Sequence, residues 1–272
     1  MCRILIAVGE GFRMRPLVEA TIKAAENDPY KAARGKGNQH KDGWGYVLLT
    51  KESLTHYRST KPIFEDDKAY KLKDSLKGFS VLLLHARAAS QGNKKLFNVQ
   101  PFSYPSPHGY QLFFMHNGDL RKDLILEGLR LPKEEFKDVS DSFVAGLYLS
   151  LFLRDTEKDS ILERMALLKP TVITSLNTGG VFVTPEGDVK VFGTAYMREE
   201  HWEEESEKNY MRVLEFYGAD LFALVSSTAE LYTFLPLDPA ENGTLYYVIA
   251  DFERESFTVE KLALELPESP EE

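Results

Sequence analysis

The residue with the most reactive chemistry is Cys2, the only cysteine in the chain, directly behind Met1. Removal of Met1 would leave a thiol and a free α-amine on one residue. Their ordinary pKa values, about 8.5 and about 7.7–8.0, both lie close to neutrality. An N-terminal amine can activate its own side chain for acyl transfer. A lone cysteine is more often buried packing, so the case for chemistry rests on four further motifs. Arg87, in His85-Ala86-Arg87, could hold a carboxylate through two parallel hydrogen bonds. Asn117 and Gly118, after His116, set a side-chain NH2 and a backbone N–H side by side, as an oxyanion requires. Asp141, in Ser140-Asp141-Ser142, could face a cleft and bind an ammonium group. Asp42-Gly43-Trp44-Gly45 lets the backbone bend sharply beside a large ring.

Each motif alone has a plainer reading. Trp44 suits a core, Arg87 a structural ion pair, and His85 a hydrogen-bonded core histidine. Asn117-Gly118 is a favoured hairpin dipeptide, and Ser140-Asp141-Ser142 caps a helix. Against the hairpin, Asp119–Asp123 does not read as a return strand. Together, a nucleophile, two oxyanion donors, a carboxylate clamp and an ammonium clamp describe a site for an amino acid attacked at its side chain.

The elements that must position these groups follow from periodicity and punctuation. Cys2–Val8, Gly43–Leu49, Leu54–Arg58, Phe79–Arg87 and Tyr110–His116 read as strands. Val81-Leu82-Leu83-Leu84 is a continuous apolar run, expected where both faces of a strand are covered. Helices are expected from Pro16 to about Asn27, over Asp66–Lys77, from Asp141 to about Arg154 and over Asp159–Lys169. Ala88–Gly109 is expected to be a loop, its first part, Ala88–Leu96, a mobile lid. Beyond Pro170 the pattern is mainly strands, at 172–177, 180–184, 189–192, 211–216, 222–226, 231–234, 245–252 and 257–262. Strands, then two adjacent helices, then strands again fit a layered α+β domain with helices outside two stacked sheets. One unit over residues 1–272 is expected, with an acidic tail at about 265–272.

Composition excludes some functions. The formal net charge is −9, which opposes a nucleic-acid partner needing a concentrated basic surface. No apolar run approaches the roughly 18 residues of a membrane span, and the opening residues are too soon charged for a secretory signal. One cysteine cannot form an internal disulfide, which fits a reducing, cytoplasmic setting. The acidic stretch Glu199–Glu207 reads as a solvated face. The six histidines form no i, i+4 pair and have no second cysteine to join them, so neither a metal nor another cofactor is expected.

The ordered set of Cys2, His85-Ala86-Arg87, His116-Asn117-Gly118 and Asp141 resembles the class II glutamine amidotransferases, whose glutaminase domain is an N-terminal-nucleophile hydrolase. Asp42-Gly43-Trp44-Gly45 and Asn98-Val99-Gln100-Pro101-Phe102 resemble a branch of small, stand-alone members. The resemblance implies a four-layer αββα sandwich of two mainly antiparallel sheets. It also implies that Cys2 attacks the glutamine side-chain amide, Asn117 and Gly118 form the oxyanion hole, Arg87 holds the α-carboxylate and Asp141 the α-amine, with His85, His116 and Trp44 in support. The family often has threonines around its arginine, where this chain has Ala86 and Ala88-Ala89-Ser90. Many members also have an acidic residue where this chain has Phe143.

Three readings of function remain. The first is a glutaminase passing ammonia to an acceptor synthetase on a separate chain. The second is a hydrolase of another γ-glutamyl amide. The third is an inactive binding protein on the same fold. The first two require Met1 to be absent, so intact-mass measurement of protein from its native source is expected to show the chain without its first methionine. A species that keeps the methionine throughout would count against both.

Overall fold

Strands buried on both faces form the centre of the protein. The computed structural model describes residues 1–265, and the expected acidic tail falls outside them from residue 266. Strands β1 (Arg3–Glu10) and β4 (Phe79–Ala86) are buried almost throughout. They pair antiparallel, with Arg3 opposite Ala86 and Ile4 opposite His85. Around them β2 (Trp44–Thr50) and β3 (Leu54–Ser59) extend the sheet on one side, and β10 (Leu221–Ser226), β9 (Val213–Tyr217) and the short β11 (Asp238–Pro239) on the other. The second sheet runs β13 (Ser256–Ala263), β12 (Thr244–Asp251), β8 (Val189–Ala195), β7 (Asn177–Val183), β6 (Gln111–Asn117) and β5 (Phe102–Pro105). Every strand pairing in both sheets is antiparallel.

Period-two alternation divides the apolar residues among three cores. Ile4, Ile6, Val8, Val81 and Leu83 of the first sheet meet Phe113, Met115, Val181 and Val191 of the second between the sheets. Leu5, Ala7, Leu82 and Leu84 point the other way, onto α1 (Gly11–Glu26) through Met14, Leu17 and Val18. Leu112, Phe114, Phe182 and Phe192 point away from the sheet–sheet layer, onto α5 (Asp141–Phe152) and α6 (Lys158–Leu168) through Val144, Leu149, Ile161 and Met165. The layers are therefore helix, sheet, sheet and helix, as expected from the sequence.

Differences from the sequence reading lie mostly where tertiary contacts decide. Helix α1 starts at Gly11, directly after β1, and carries Pro16 inside it. Burial of Met14 against the sheet extends the helix past the proline that reads as its start. The expected loop 88–109 contains β5, held by pairing with β6. A short helix, α4 (Lys122–Gly128), follows the Asn117-Gly118 turn, so that turn is no hairpin. In place of a strand over 172–177 there are single bridges, Leu120 to Val172 and Ser175 to Met197. The 231–234 stretch follows a 3-10 turn, with Phe234 in solvent. The acidic 199–207 stretch folds into α7 (Glu199–Trp202) and the start of α8 (Glu205–Met211), and Glu207 pairs with Arg34 instead of facing water alone. The remaining helices are α2 (Pro29–Ala33) and α3 (Asp67–Ser75).

Candidate active site

Two strand ends, one from each sheet, meet at Cys2. The backbone N–H of Cys2 donates to Asn117 Oδ1 at 2.5 Å. The carbonyl branch of the amide is thus turned to Cys2, and the Asn117 NH2 has no hydrogen-bond partner among the described residues. The Cys2 sulfur lies against the backbone of Ala88, accepting from its N–H at 3.4 Å and donating to its carbonyl at 3.6 Å. Strand register explains the meeting. Arg3 opposite Ala86 carries Cys2 across from Arg87, where β4 gives way to the loop.

The Asn117 turn is fixed from behind. A Cβ at Gly118 would lie 1.9 Å from the Ser175 carbonyl oxygen, so no side chain fits there. Asp119 N–H donates to Thr174 Oγ1 at 2.9 Å, and its carbonyl accepts from Ile173 and Thr174. His116 points to the helix side of its sheet. Its Nε2 bonds the Ser175 carbonyl at 3.0 Å and must carry the proton, because a carbonyl has none to give. Its Nδ1 meets Ser142 Oγ at 3.0 Å.

Arg87 is buried, and its guanidinium is committed to the following loop. Nη1 donates to the Asn93 carbonyl at 3.0 Å and Nη2 to the Gln91 carbonyl at 3.1 Å. The other two motifs hold the same loop. Arg87 N–H donates to the Gly43 carbonyl at 2.8 Å, and Asp42 accepts from Ala89 N–H at 2.9 Å and Lys94 Nζ at 2.8 Å. Gly43 has φ +108°, and a Cβ there would lie 2.8 Å from both Ser59 O and Val99 Cγ2. Asn98 donates to Asn93 and to the Asp138 carbonyl and accepts from Ser140 N–H. Gln100 Oε1 accepts from His116 N–H at 2.6 Å. Asp42, Asn98 and Gln100 were thus visible inside motifs without being singled out. Their task, bonding main chain far away in sequence, leaves no local signal.

Asp141, expected to face a cleft, is enclosed instead. Oδ2 accepts from Leu120 N–H at 2.7 Å and Oδ1 from Ser142 N–H at 2.8 Å, because the start of α5 packs behind the Asn117 turn. Burial raises its pKa despite His116 and those two N–H groups. His85 lies fully buried, and neither ring nitrogen has a partner. Burial, reinforced by the Arg87 charge, holds its pKa well below the usual histidine range, so the ring is neutral. Trp44 belongs to the α1-side core, stacked on Tyr46 and donating to Asp66 at 3.1 Å. It supports the site only through the backbone of its motif.

A buried ion pair anchors the strand that ends in Cys2. Arg3 and Asp28 are both enclosed, with Nε to Oδ2 at 2.7 Å. Arg3 also donates to the Cys2 carbonyl at 3.2 Å and lies 4.5 Å over the Tyr210 ring. His40 Nε2 bonds Asp28 Oδ2 at 2.7 Å. Burial alone would raise the Asp28 pKa, yet Arg3 and His40 together bring it far below the carboxylate range. Burial takes the opposite course with His40, pushing it down to about 3 even with Asp28 beside it.

A cavity of about 360 Å³ opens beside Met1, lined among others by Ala88, Ser90, Asp119 and Thr174. Met1 is part of its lining. The methionine sulfur accepts from the Thr174 and Ser175 hydroxyls at 3.7 Å each, and its carbonyl accepts from Tyr210 OH at 2.9 Å. A larger cavity, about 790 Å³, lies at the far end of the same strands among the β2–β3, β7–β8 and β12–β13 turns, and brings none of the candidate residues together.

Residues 23–142 match the sequence pattern of the family described as "Glutamine amidotransferases class-II". That stretch, somewhat under half of the chain, is similar to class-II glutamine amidotransferases. The matched stretch holds Trp44, His85, Arg87, His116, Asn117, Gly118 and Asp141, and begins after Cys2. No curated protein sequence matches the chain. Among solved structures, the allosteric regulatory enzyme of purine biosynthesis is similar at a TM-score of 0.64 with 18% identity, over 98% of this chain and 50% of that one. Glutamine phosphoribosylpyrophosphate amidotransferase from B. subtilis is similar at 0.60, with the same identity and coverage. The chain thus spans about half the length of these structures and shares their fold, a sandwich of two antiparallel sheets between helices. Among the described residues no helix is long and apolar enough to cross a membrane.

The enclosed histidines make stability depend on pH. An unfolded histidine binds a proton near pH 6.5, whereas folded His40 does so near 3 and His85 well below its usual range. Between these limits the unfolded state holds more protons, so stability is lost as pH falls, by up to about 1.4 kcal/mol per pH unit for each histidine. The urea midpoint is expected to drop from pH 7 to pH 5, and less steeply in His40→Asn. A pH-independent midpoint would contradict neutral burial.

Proposed function

We propose that this chain acts as a class-II amidotransferase and hydrolyses the side-chain amide of a glutamyl unit through a thioester on Cys2, glutamine being the smallest such substrate. The observation that carries the reading is the hydrogen bond from Cys2 N–H to Asn117 Oδ1. With Met1 removed, that nitrogen becomes a free amine held in place by the same oxygen. It would take the thiol proton, and the thiolate would attack the amide carbon. The Asn117 NH2 and the Gly118 N–H are the proposed oxyanion donors. The amine then protonates the leaving nitrogen, and water, activated by the same amine, releases glutamate from the thioester. For glutamine the other product is ammonia, and a separate synthetase chain is its proposed acceptor. A reducing cytoplasm would keep the thiol free.

Arg87 and Asp141 are the proposed clamps for the glutamyl α-carboxylate and α-amine. A guanidinium has five N–H donors and a carboxylate about four acceptor sites. Each has two spent on protein backbone here, which leaves capacity for a ligand. Both are enclosed, so the reading requires the loop from Ala88 to Leu96 to open for substrate and close over it. The loop's contacts, mostly backbone carbonyls and the exposed Lys94, suit such a movement.

Glutamate release from glutamine by protein lacking Met1 tests the proposal. Cys2→Ala is expected to abolish release. Asn117→Ala should cut turnover about 10²–10³-fold, with KM much less affected, because its donor acts mainly in the transition state. Undiminished release from Cys2→Ala would overturn the mechanism.

A further inference from the structure

The cavity beside Met1 is basic in a chain whose net charge is −9. Lys31, Arg34, Lys36, Lys41 and Lys94 line it, against two carboxylates, Asp42 and Asp119. Some of that charge is already spent. Glu207 pairs with Arg34, Asp42 pairs with Lys94 at 2.8 Å, and Asp119 accepts from Ser90. Lys36 and Lys41 are exposed and form no ion pair among the described residues. The Lys31 ammonium is half-buried and bonded to the Gln39 carbonyl. Burial disfavours its charge, so an anion arriving beside it would offset that cost.

The position of these charges relative to the sulfur decides what they could hold. The cavity reaches the Cys2 sulfur through Met1 and through Ala88, whose backbone flanks that sulfur, while Cys2 itself, Asn117, Arg87 and Asp141 stand outside its lining. On the proposed mechanism the glutamyl end of a substrate lies with Arg87 and Asp141. The substituent on the amide nitrogen then projects the other way, past Ala88 and Ser90 into the cavity. Ammonia needs no chamber there. At about 360 Å³ the volume lies in the range of small-molecule pockets, and removal of Met1 would enlarge it on the side of the nucleophile.

We infer that the chamber formed by Lys31, Lys36 and Lys41 beside Cys2 receives an anionic amine portion, making γ-glutamyl amides of carboxylate-bearing amines preferred substrates over glutamine. This rests on the Cys2 thioester mechanism above and names its substrate class. The reaction balances as hydrolysis. The carbon–nitrogen bond of the amide breaks, water supplies OH to the glutamyl carbonyl and a proton to the amine, and glutamate and the free amino acid leave.

The experiment compares kcat/KM of protein lacking Met1 on γ-glutamyl-glutamate, γ-glutamyl-glycine, γ-glutamyl-ethylamide and glutamine. The anionic amides are expected to exceed the neutral ethylamide by about fivefold at low salt, with the preference shrinking as salt screens the exposed lysines. In Lys36→Glu/Lys41→Glu the ratio of anionic to neutral substrate should fall to about one or invert. Both side chains are exposed, so the fold should tolerate the change, and an unchanged thermal midpoint checks this. Equal rates on charged and neutral amides, or a ratio indifferent to the reversal, overturns the chamber assignment. If Cys2-dependent hydrolysis continues in that case, the mechanism stands without it. If no amide is cleaved, both fall.

Discussion

One hydrogen bond ties the two halves of this site together. Cys2 stands at the first strand of one sheet and Asn117 at the end of a strand in the other, and the bond between them spans the layer where the sheets face each other. Because the asparagine oxygen accepts, its NH2 must point the other way. A single orientation therefore sets both the place of the nitrogen on residue 2 and the direction of a free donor. The turn after Asn117 cannot drift, since Gly118 is wedged against the Ser175 carbonyl and His116 is bonded to the same group.

The other partner in that bond is held by charge. Arg3 follows Cys2, and its guanidinium is buried with Asp28 while also reaching the Cys2 carbonyl. Isolated buried charges are costly unless paired and hydrogen-bonded. Arg3 has partners on three sides, in Asp28, the Tyr210 carbonyl and the Tyr210 ring. His40 completes the set as a neutral ring, with its donor on Asp28. A strand end that could fray is thereby fixed at the residue where position matters most.

Much of the layout could be read from residue patterns. The apolar runs of β1 and β4 announced strands covered on both faces, and the two adjacent helices α5 and α6 announced a layer outside the sheets. Both signals are local, arising from period and burial within one segment. The missed pieces have non-local causes. β5 exists because β6 offers it a ladder, and α1 begins early because Met14 finds a sheet to cover. Trp44 looked like part of a site because its flanking glycines are there for the loop. The ring itself packs on the opposite face of the sheet.

The sequence by itself determined the inventory of chemistry: one thiol at residue 2, an arginine at a strand end, an Asn-Gly pair with no obvious return strand after it, and an aspartate at the start of a helix. Side-chain type and order along the chain are enough for that. Only the tertiary structure decided which of these groups meet and which are engaged. It brought Cys2 to Asn117, but gave Arg87 to the carbonyls of its own loop and Asp141 to backbone N–H groups. It also gathered lysines from residues 31–41 and 94 around one cavity. Such pairings depend on strand register and on where buried polar groups find partners, and neither is encoded within any one stretch of residues.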